Sequence, residues 1–340
     1  MTHQEIKTTL LNTTGLIDAH THLGVDLSLY TSGHYPYAAT AEDHSVRLAH
    51  TGISFACCFP WAYSLYYTLA PYNNGIVRRA PRSLSPYPYA FENERLCQEI
   101  YHAFPEYAGK LLPFPFFDPQ RRVTQQVAGL RNLAARYPLF GLKTATSYIR
   151  SPVKALLRQG APLLDFAAEL NLPVTFHSSI ISGDEWANVF DIIDVIRARP
   201  DVRFAIAHTC RFNHKALDLA APLPNCFVAL SALHIHCDLA AQNNPTTALP
   251  PHRFPSDYTH PDTVLHNLTQ HYSHNLIWGS DTPAHIWKSR WRDANGHETW
   301  LNLACPPTAE ADPLRSLPPP MRDTIARANT LRFLFGDHSE

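Results

Sequence analysis

Short apolar runs recur along the chain, separated by stretches whose apolar residues repeat at helical spacing. The runs predict strands at Leu16–His22, Ile53–Phe59, Leu111–Phe117 and Leu139–Ala145, then at Leu172–His177, Val202–His208, Cys226–Ser231 and Leu276–Asp281. Between them the spacing predicts helices such as Glu92–Phe104, Arg121–Tyr137, Ala161–Leu170, Glu185–Arg199 and Asp262–His271. A last helix is expected over Met321–Phe335, ended by Gly336 in the left-handed conformation of a C-cap. Strands alternating with helices at roughly 30-residue intervals are the signature of repeated βα units. Runs such as ISFACCF at 53–59 and VRFAIA at 202–207 are apolar almost throughout, as strands covered on both faces must be. Eight such units close into a (β/α)8 barrel. An open doubly wound sheet, the rival, would more often bring a glycine-rich phosphate loop, and neither GxGxxG nor GxxxxGK[ST] occurs. The expectation is an α/β fold in which residues 1–340 form one TIM barrel. Its long βα loops follow strands two and eight, at Pro60–Phe91 and Thr282–Pro320.

Composition narrows the function. Lysine and arginine number 28 against 29 acidic residues, for a formal charge of -1 without a basic stripe, which argues against nucleic acid as a partner. No run of about 18 apolar residues occurs, so no membrane span is expected. The opening residues, Met1 to Asn12, lack the pattern of a secretory signal. Seven cysteines without a CxxC pair argue against a disulfide framework or thiolate zinc, and point to a reducing cytoplasm. A small-molecule substrate is the expected partner, with homo-oligomerisation left open. Twenty histidines invite a metal hypothesis, and they also weaken any single histidine motif.

The strongest local signal is Asp18-Ala19-His20-Thr21-His22. Residues two apart on a strand share a face, so His20 and His22 should project together with Asp18 beneath them, spaced to chelate one divalent ion. At this histidine frequency on the order of one HxH arises by chance, and a second occurs at His234-Ile235-His236. Position discriminates better than spacing. His177, His208 and Asp281 each end another predicted strand, so metal-ligand residue types should converge at the C-terminal mouth of a barrel.

Together, Asp18-Ala19-His20-Thr21-His22, Gly141-Leu142-Lys143, His177, Ala207-His208, Gly279-Ser280-Asp281-Thr282-Pro283 and the closing segment Ile325–Gly336 resemble the amidohydrolase superfamily. The likeness is narrower still to its amidohydrolase-2 branch of hydrolases and carboxy-lyases, and it spans residues 16 to 336. The resemblance implies a distorted (β/α)8 barrel holding one divalent metal, by preference zinc, with His20, His22, His177 and Asp281 as ligands. His208 and Asp281 would handle protons. A second metal bridged by carboxylated Lys143 is the disfavoured variant. Lys143 would otherwise serve in a salt bridge or against an anionic substrate.

Arg211, three residues past His208, and Arg150, past strand four, could grip a substrate carboxylate, as could Arg78, Arg79 and Arg82 in the long second loop. Trp186, with Trp61 and Trp287, could wall an apolar pocket. His234 and His236 read as pocket wall or coincidence. The expected activity is hydrolysis of a small lactone, amide or ester by a zinc-activated water. The alternative is non-oxidative decarboxylation of an aromatic or enoic acid. A barrel that binds metal or ligand without catalysis is the third reading.

Overall fold

A computed structural model describes residues 1–26, 38–49, 51–68, 76–283, 286–292, 298–305 and 308–337. Eight parallel strands carry the fold: β1 (Leu16–His22), β2 (Ile53–Phe59), β3 (Leu111–Pro113), β4 (Leu142–Thr144), β5 (Val174–Phe176), β6 (Phe204–Ile206), β7 (Cys226–Ala229) and β8 (Leu276–Ile277). Regular ladders join β1–β2–β3 and β4 through β8. Backbone hydrogen bonds beyond the ladders close the ring. Lys143 N donates to Pro115 O (2.9 Å) and Phe117 N to Lys143 O (3.0 Å), joining β3 to β4. On the other side Ala19 N donates to Trp278 O (2.9 Å), Asp281 N to His20 O (2.7 Å) and His22 N to Thr282 O (2.7 Å). The result is the expected barrel.

Apart from the start of β2 at Ile53 and Ser54, the eight barrel strands are buried on both faces, and alternation sorts their side chains into two cores. Ile17, Ala19, Cys57, Phe59, Leu112, Phe114, Ala205, Phe227, Ala229 and Ile277 fill the lumen in one cluster. Leu142, Val174, Phe176, Phe204, Ile206, Cys226, Val228, Leu276 and Trp278 belong to a second, packed against the helices. Gly141 is small for a lumen reason: a Cβ there would lie 2.0 Å from the Phe114 ring.

Helices form close to expectation at Val123–Ala134, Ala161–Glu169, Val189–Ala198 and Pro261–Tyr272. Two others differ. The expected Glu92–Phe104 is α-helical over Ala90–Gln98 and continues as π-helix over Glu99–Ala103. The expected Met321–Phe335 is three pieces, Pro319–Asp323, a π-helical Thr324–Ala328 and Asn329–Phe335. Gly336 does take a positive φ (81°), but its ψ of -173° is not that of a left-handed helical cap. The helices His3–Asn12, Ala41–Leu48, His214–Ala220 and Leu233–Ala241 were not expected. The first starts with a reciprocal cap between Thr2 and Glu5 and buries Ile6 and Leu10, one turn apart. Within the loop after β8, Ile286–Arg292 pairs antiparallel with Glu298–Ala304. No helix of the described residues is long and apolar enough to cross a membrane.

Candidate functional site

At the mouth the first strand departs from regular pairing. There β1 carries a bulge: Asp18 pairs with Ala56 and Thr21 with Cys58, so Ala19 and His20 together oppose Cys57. The extra residue shifts the phase, and His20 and His22 continue the lumen face that Ile17 and Ala19 begin. Asp18 is thereby moved off that face, contrary to the sequence expectation. Its buried carboxylate instead clamps β1 to β8, accepting from His20 N (2.9 Å), Ser280 N (2.9 Å) and Ser280 Oγ (2.5 Å). Burial pushes the Asp18 carboxyl up to about 7, against the pull of these donors.

His20, His22 and Asp281 converge at the mouth, each offering one ligand atom within 4.8 Å of the others. His20 Nε2 lies 3.3 Å and His22 Nε2 3.4 Å from Asp281 Oδ1. Nδ1 of His22 must donate to Pro60 O (2.9 Å), since a carbonyl only accepts. That bond leaves Nε2 as the ring's free ligand atom, turned toward a carboxylate oxygen. Ligand bonds of about 2.0–2.1 Å at tetrahedral angles set neighbouring donors about 3.3 Å apart, the spacing observed. The residues present fit a divalent metal. Burial, reinforced by Lys143, pushes His20 down to about 3, keeping it neutral. Burial would raise Asp281, but the surrounding imidazoles of His20 and His22 hold it well below the usual carboxylate range.

His177 and His208 form the second half of the site. His177 Nδ1 lies 3.0 Å from His208 Nε2, and His177 Nε2 lies 2.9 Å from Arg211 Nη2. His208 Nδ1 faces Ser231 O (3.2 Å) and Asp281 Oδ2 (3.9 Å). Burial lowers both imidazoles well below their ordinary value, with Arg211 adding to it. Arg211 is itself buried, and reaches the centre because residues 208 to 212 all take positive φ, between 49° and 64°. Such a left-handed turn of non-glycine residues costs on the order of 1 kcal/mol per residue.

A family profile described as Amidohydrolase matches residues 17–336. The chain belongs to the amidohydrolase family. A comparison with curated proteins by sequence finds no match. Among solved structures, the chain is similar to a probable 2-pyrone-4,6-dicarboxylic acid hydrolase from Acinetobacter baumannii with citric acid bound (16% identity, TM-score 0.54, covering 95% of this chain and 100% of that one). It is similar to an amidohydrolase from Burkholderia multivorans with bound zinc (13% identity, TM-score 0.56, covering 94% and 99%). A third likeness is to 2,6-dihydroxybenzoate decarboxylase complexed with 2,6-dihydroxybenzoate (11% identity, TM-score 0.53, covering 94% and 98%). At these identities the likenesses concern the fold.

Within this amidohydrolase the remaining sequence candidates fall in different places. Lys143 lies in the lumen, its Nζ 4.9 Å from the centroid of the Phe59 ring and without a hydrogen-bond partner. Burial pushes its ammonium down to about 7, with Asp281 opposing the shift. Arg211 spends its donors on protein: Ser178 O (2.7 Å), His236 Nε2 (2.7 Å) and His177 Nε2. Arg150 and Trp186 lie partly exposed on rim segments, and no described contact joins either side chain to the histidines. Arg78, Arg79 and Arg82 are exposed. Trp61 stacks on His22 with ring centroids 4.7 Å apart, whereas the side chain of Trp287 lies outside the described residues.

Sequence reasoning passed over Ser231 and Tyr148. Ser231 ends the predicted seventh strand as His177 ends the fifth, so the strand-end rule could have found it. Tyr148, whose ring meets that of His177 edge-on with centroids 5.2 Å apart, follows β4 in a short helix with no distinguishing pattern.

Proposed function

We propose that this amidohydrolase is a cytoplasmic, metal-dependent hydrolase of a small lactone, amide or ester. One observation carries the reading: two imidazole nitrogens meet a carboxylate oxygen at 3.3 and 3.4 Å, with Nδ1 of His22 tied to Pro60 O so that its Nε2 faces that oxygen. His20, His22 and Asp281 would hold the ion, with zinc the preferred occupant. When bound, it supplies a Lewis acid that polarises a substrate carbonyl and acidifies water. The rest falls to the chain. Asp281 is ionised, so its Oδ2 can take the proton of an attacking water. His208 stands 3.9 Å from that oxygen, placed to serve the substrate's oxygen or leaving group. Trp61 and Phe59 pack against the imidazoles and shield them from bulk water.

A second reading, a carboxy-lyase, is favoured by Lys143. A buried ammonium without a partner offers a seat for a substrate carboxylate. Two measurements decide. Elemental analysis should find one equivalent of zinc, lost in the double variant His20→Ala, His22→Ala; retained metal in that variant refutes the site. Across panels of lactones, amides, esters and carboxylic acids, product incorporating labelled water oxygen indicates a hydrolase. Release of carbon dioxide indicates the lyase.

A further inference from the structure

The rim loops after β2, β3 and β4 collect positive charge that the chain as a whole does not have. Residues 60–89, 114–122 and 145–152 hold Arg78, Arg79, Arg82, Arg121, Arg122 and Arg150 against a single acid, Asp118, in a protein of formal charge -1. Because these arginines come from three loops, no basic stripe marks them along the sequence. Hydrogen bonds bring the loops together. Arg79 pairs antiparallel with Tyr67, and Thr68 N donates to Arg78 O (2.9 Å). Tyr67 Oη donates to the buried Asp118 carboxylate (2.6 Å), which also accepts from Ser151 Oγ (2.6 Å) and Arg121 Nη1 (2.8 Å). The Arg121 guanidinium goes on to donate to Ile149 O (2.9 Å) and Arg150 O (3.2 Å). Asp118 and Arg121 are thereby consumed inside the wall they join.

The other five guanidinium groups are left over. Arg78, Arg79, Arg82 and Arg122 are exposed and Arg150 is half-buried, and none has a hydrogen bond or ion pair from its side chain among the described residues. On the flank of the barrel, by contrast, Arg131 pairs with Glu169, Arg136 with Glu94 and Arg199 with Asp201. Two large apolar side chains bracket the first three rim arginines and face water, Ile76 at 44% exposure and Leu84 at 75%. We propose that this side of the rim docks on an anionic lipid surface, with the five free arginines on headgroup phosphates and Ile76 and Leu84 at the acyl boundary. Guanidinium groups match phosphate oxygens in charge and geometry, and exposed aliphatic side chains among them gain by leaving water at the same plane. A nucleic-acid backbone would answer the charge but leave Ile76 and Leu84 in water. The contact is peripheral and needs no membrane span, and it stands apart from the metal and the reaction at the mouth.

The test is sedimentation of full-length protein with vesicles of pure phosphatidylcholine, and with vesicles of phosphatidylcholine and phosphatidylserine in equal parts. Wild-type protein should bind the anionic vesicles at low salt and ignore the neutral ones. Binding should fall at least about tenfold in about 1 M salt, where the Debye length is about 3 Å. The triple variant Arg78→Ser, Arg79→Ser, Arg82→Ser should lose at least about tenfold at low salt. The double variant Ile76→Ser, Leu84→Ser should lose about threefold or more and keep the salt dependence. No binding to anionic vesicles, equal binding to neutral ones, unchanged binding in either variant, or tighter binding to a DNA duplex at matched phosphate would each overturn the proposal. Urea melting checks that the variants fold; if either does not, the wild-type comparison of vesicles, salts and duplex decides alone. Zinc content measured on the same samples reports separately on the metal reading, so a failure of one is not mistaken for a failure of the other.

Discussion

Replacing Gly279 by alanine puts one methyl group where β8 passes β1 at the level of His20. The added Cβ would lie 2.6 Å from His20 Cβ, 3.0 Å from His20 N and 3.3 Å from His20 Cα. Ordinary carbon–carbon contact is about 3.5–4.0 Å. All three obstructing atoms are backbone or Cβ, so no side-chain rotation relieves the clash, and the strands must part by about 1 Å at this level. Overpacking of that kind costs about 1–3 kcal/mol of stability. The consequence for the site is sharper. His20 rides on the displaced segment while Asp281 stays two residues along β8, and metal–ligand distances tolerate only about 0.2 Å.

Zinc affinity should therefore fall by at least 10–100-fold, about 1.4–2.7 kcal/mol, in a protein that still folds. Chelator competition measures the first quantity and denaturant melting the second. Gly183→Ala is the comparison, because no atom lies within 4 Å of the new Cβ there although φ is +83°. It should lose about 1 kcal/mol of stability and leave zinc affinity unchanged. A folded Gly279→Ala protein that binds zinc as tightly as the wild type would refute the packing argument and the assignment of His20.

Three further outcomes follow from buried charges. Asp18→Ala strands the N–H groups of His20 and Ser280, and should cost about 2–4 kcal/mol in urea melts; a loss below about 0.5 kcal/mol would show that the clamp is dispensable. Lys143 is lowered from 10.5 to about 7, so the unfolded chain binds its proton more tightly and stability falls as pH drops through that window. Lys143→Met should then be the more stable protein at pH 6, by roughly 3–5 kcal/mol, and a less stable variant would contradict the buried-ammonium account. Glu310, fully buried against the N–H groups of His234 and Ile235, is raised by burial from 4.5 to about 7. Here the folded state holds the proton more tightly, so stability falls as pH rises through that window, by about 3 kcal/mol. Glu310→Gln should flatten that part of the curve, and parallel curves for the two proteins would exclude Glu310 as its source.

What the sequence made legible is what depends on one strand at a time. Two-sided burial made β1 and β2 readable to the residue, and a polar residue after an apolar run marked His177, His208 and Asp281 as mouth residues. What it hid depends on pairing between distant segments. The bulge at Ala19 and His20 exists only because β2 runs alongside, and it moved Asp18 from beneath the histidines to a clamp on Ser280. The left-handed turn from His208 to Phe212 breaks local preference at five successive non-glycine residues, and it brought Arg211 to the imidazoles rather than to the substrate side of the rim. The helix Leu233–Ala241 escaped because apolar residues surround it: Leu233, Ile235, Cys237, Leu239 and Ala240 are all buried, leaving no single-faced period to detect.

The two HxH motifs turn that distinction into physics. On bulged β1, residues two apart share a face, and His20 and His22 meet the same carboxylate oxygen. On the helix Leu233–Ala241, residues two apart are separated by about 200° around the axis, and His234 and His236 part company. His234 turns to Asp238 one turn along (3.7 Å), and that carboxylate with Glu310 raises its affinity for a proton. His236 turns inward, stacks on His208 at 4.6 Å and accepts from Arg211, while Arg211 and burial keep it neutral. One motif has the spacing of a chelate and the other is two unrelated histidines, and only the secondary structure beneath each decides which. For any histidine pair in this barrel the spacing nominates, and the period of the element that carries it determines whether two lone pairs can reach one ion.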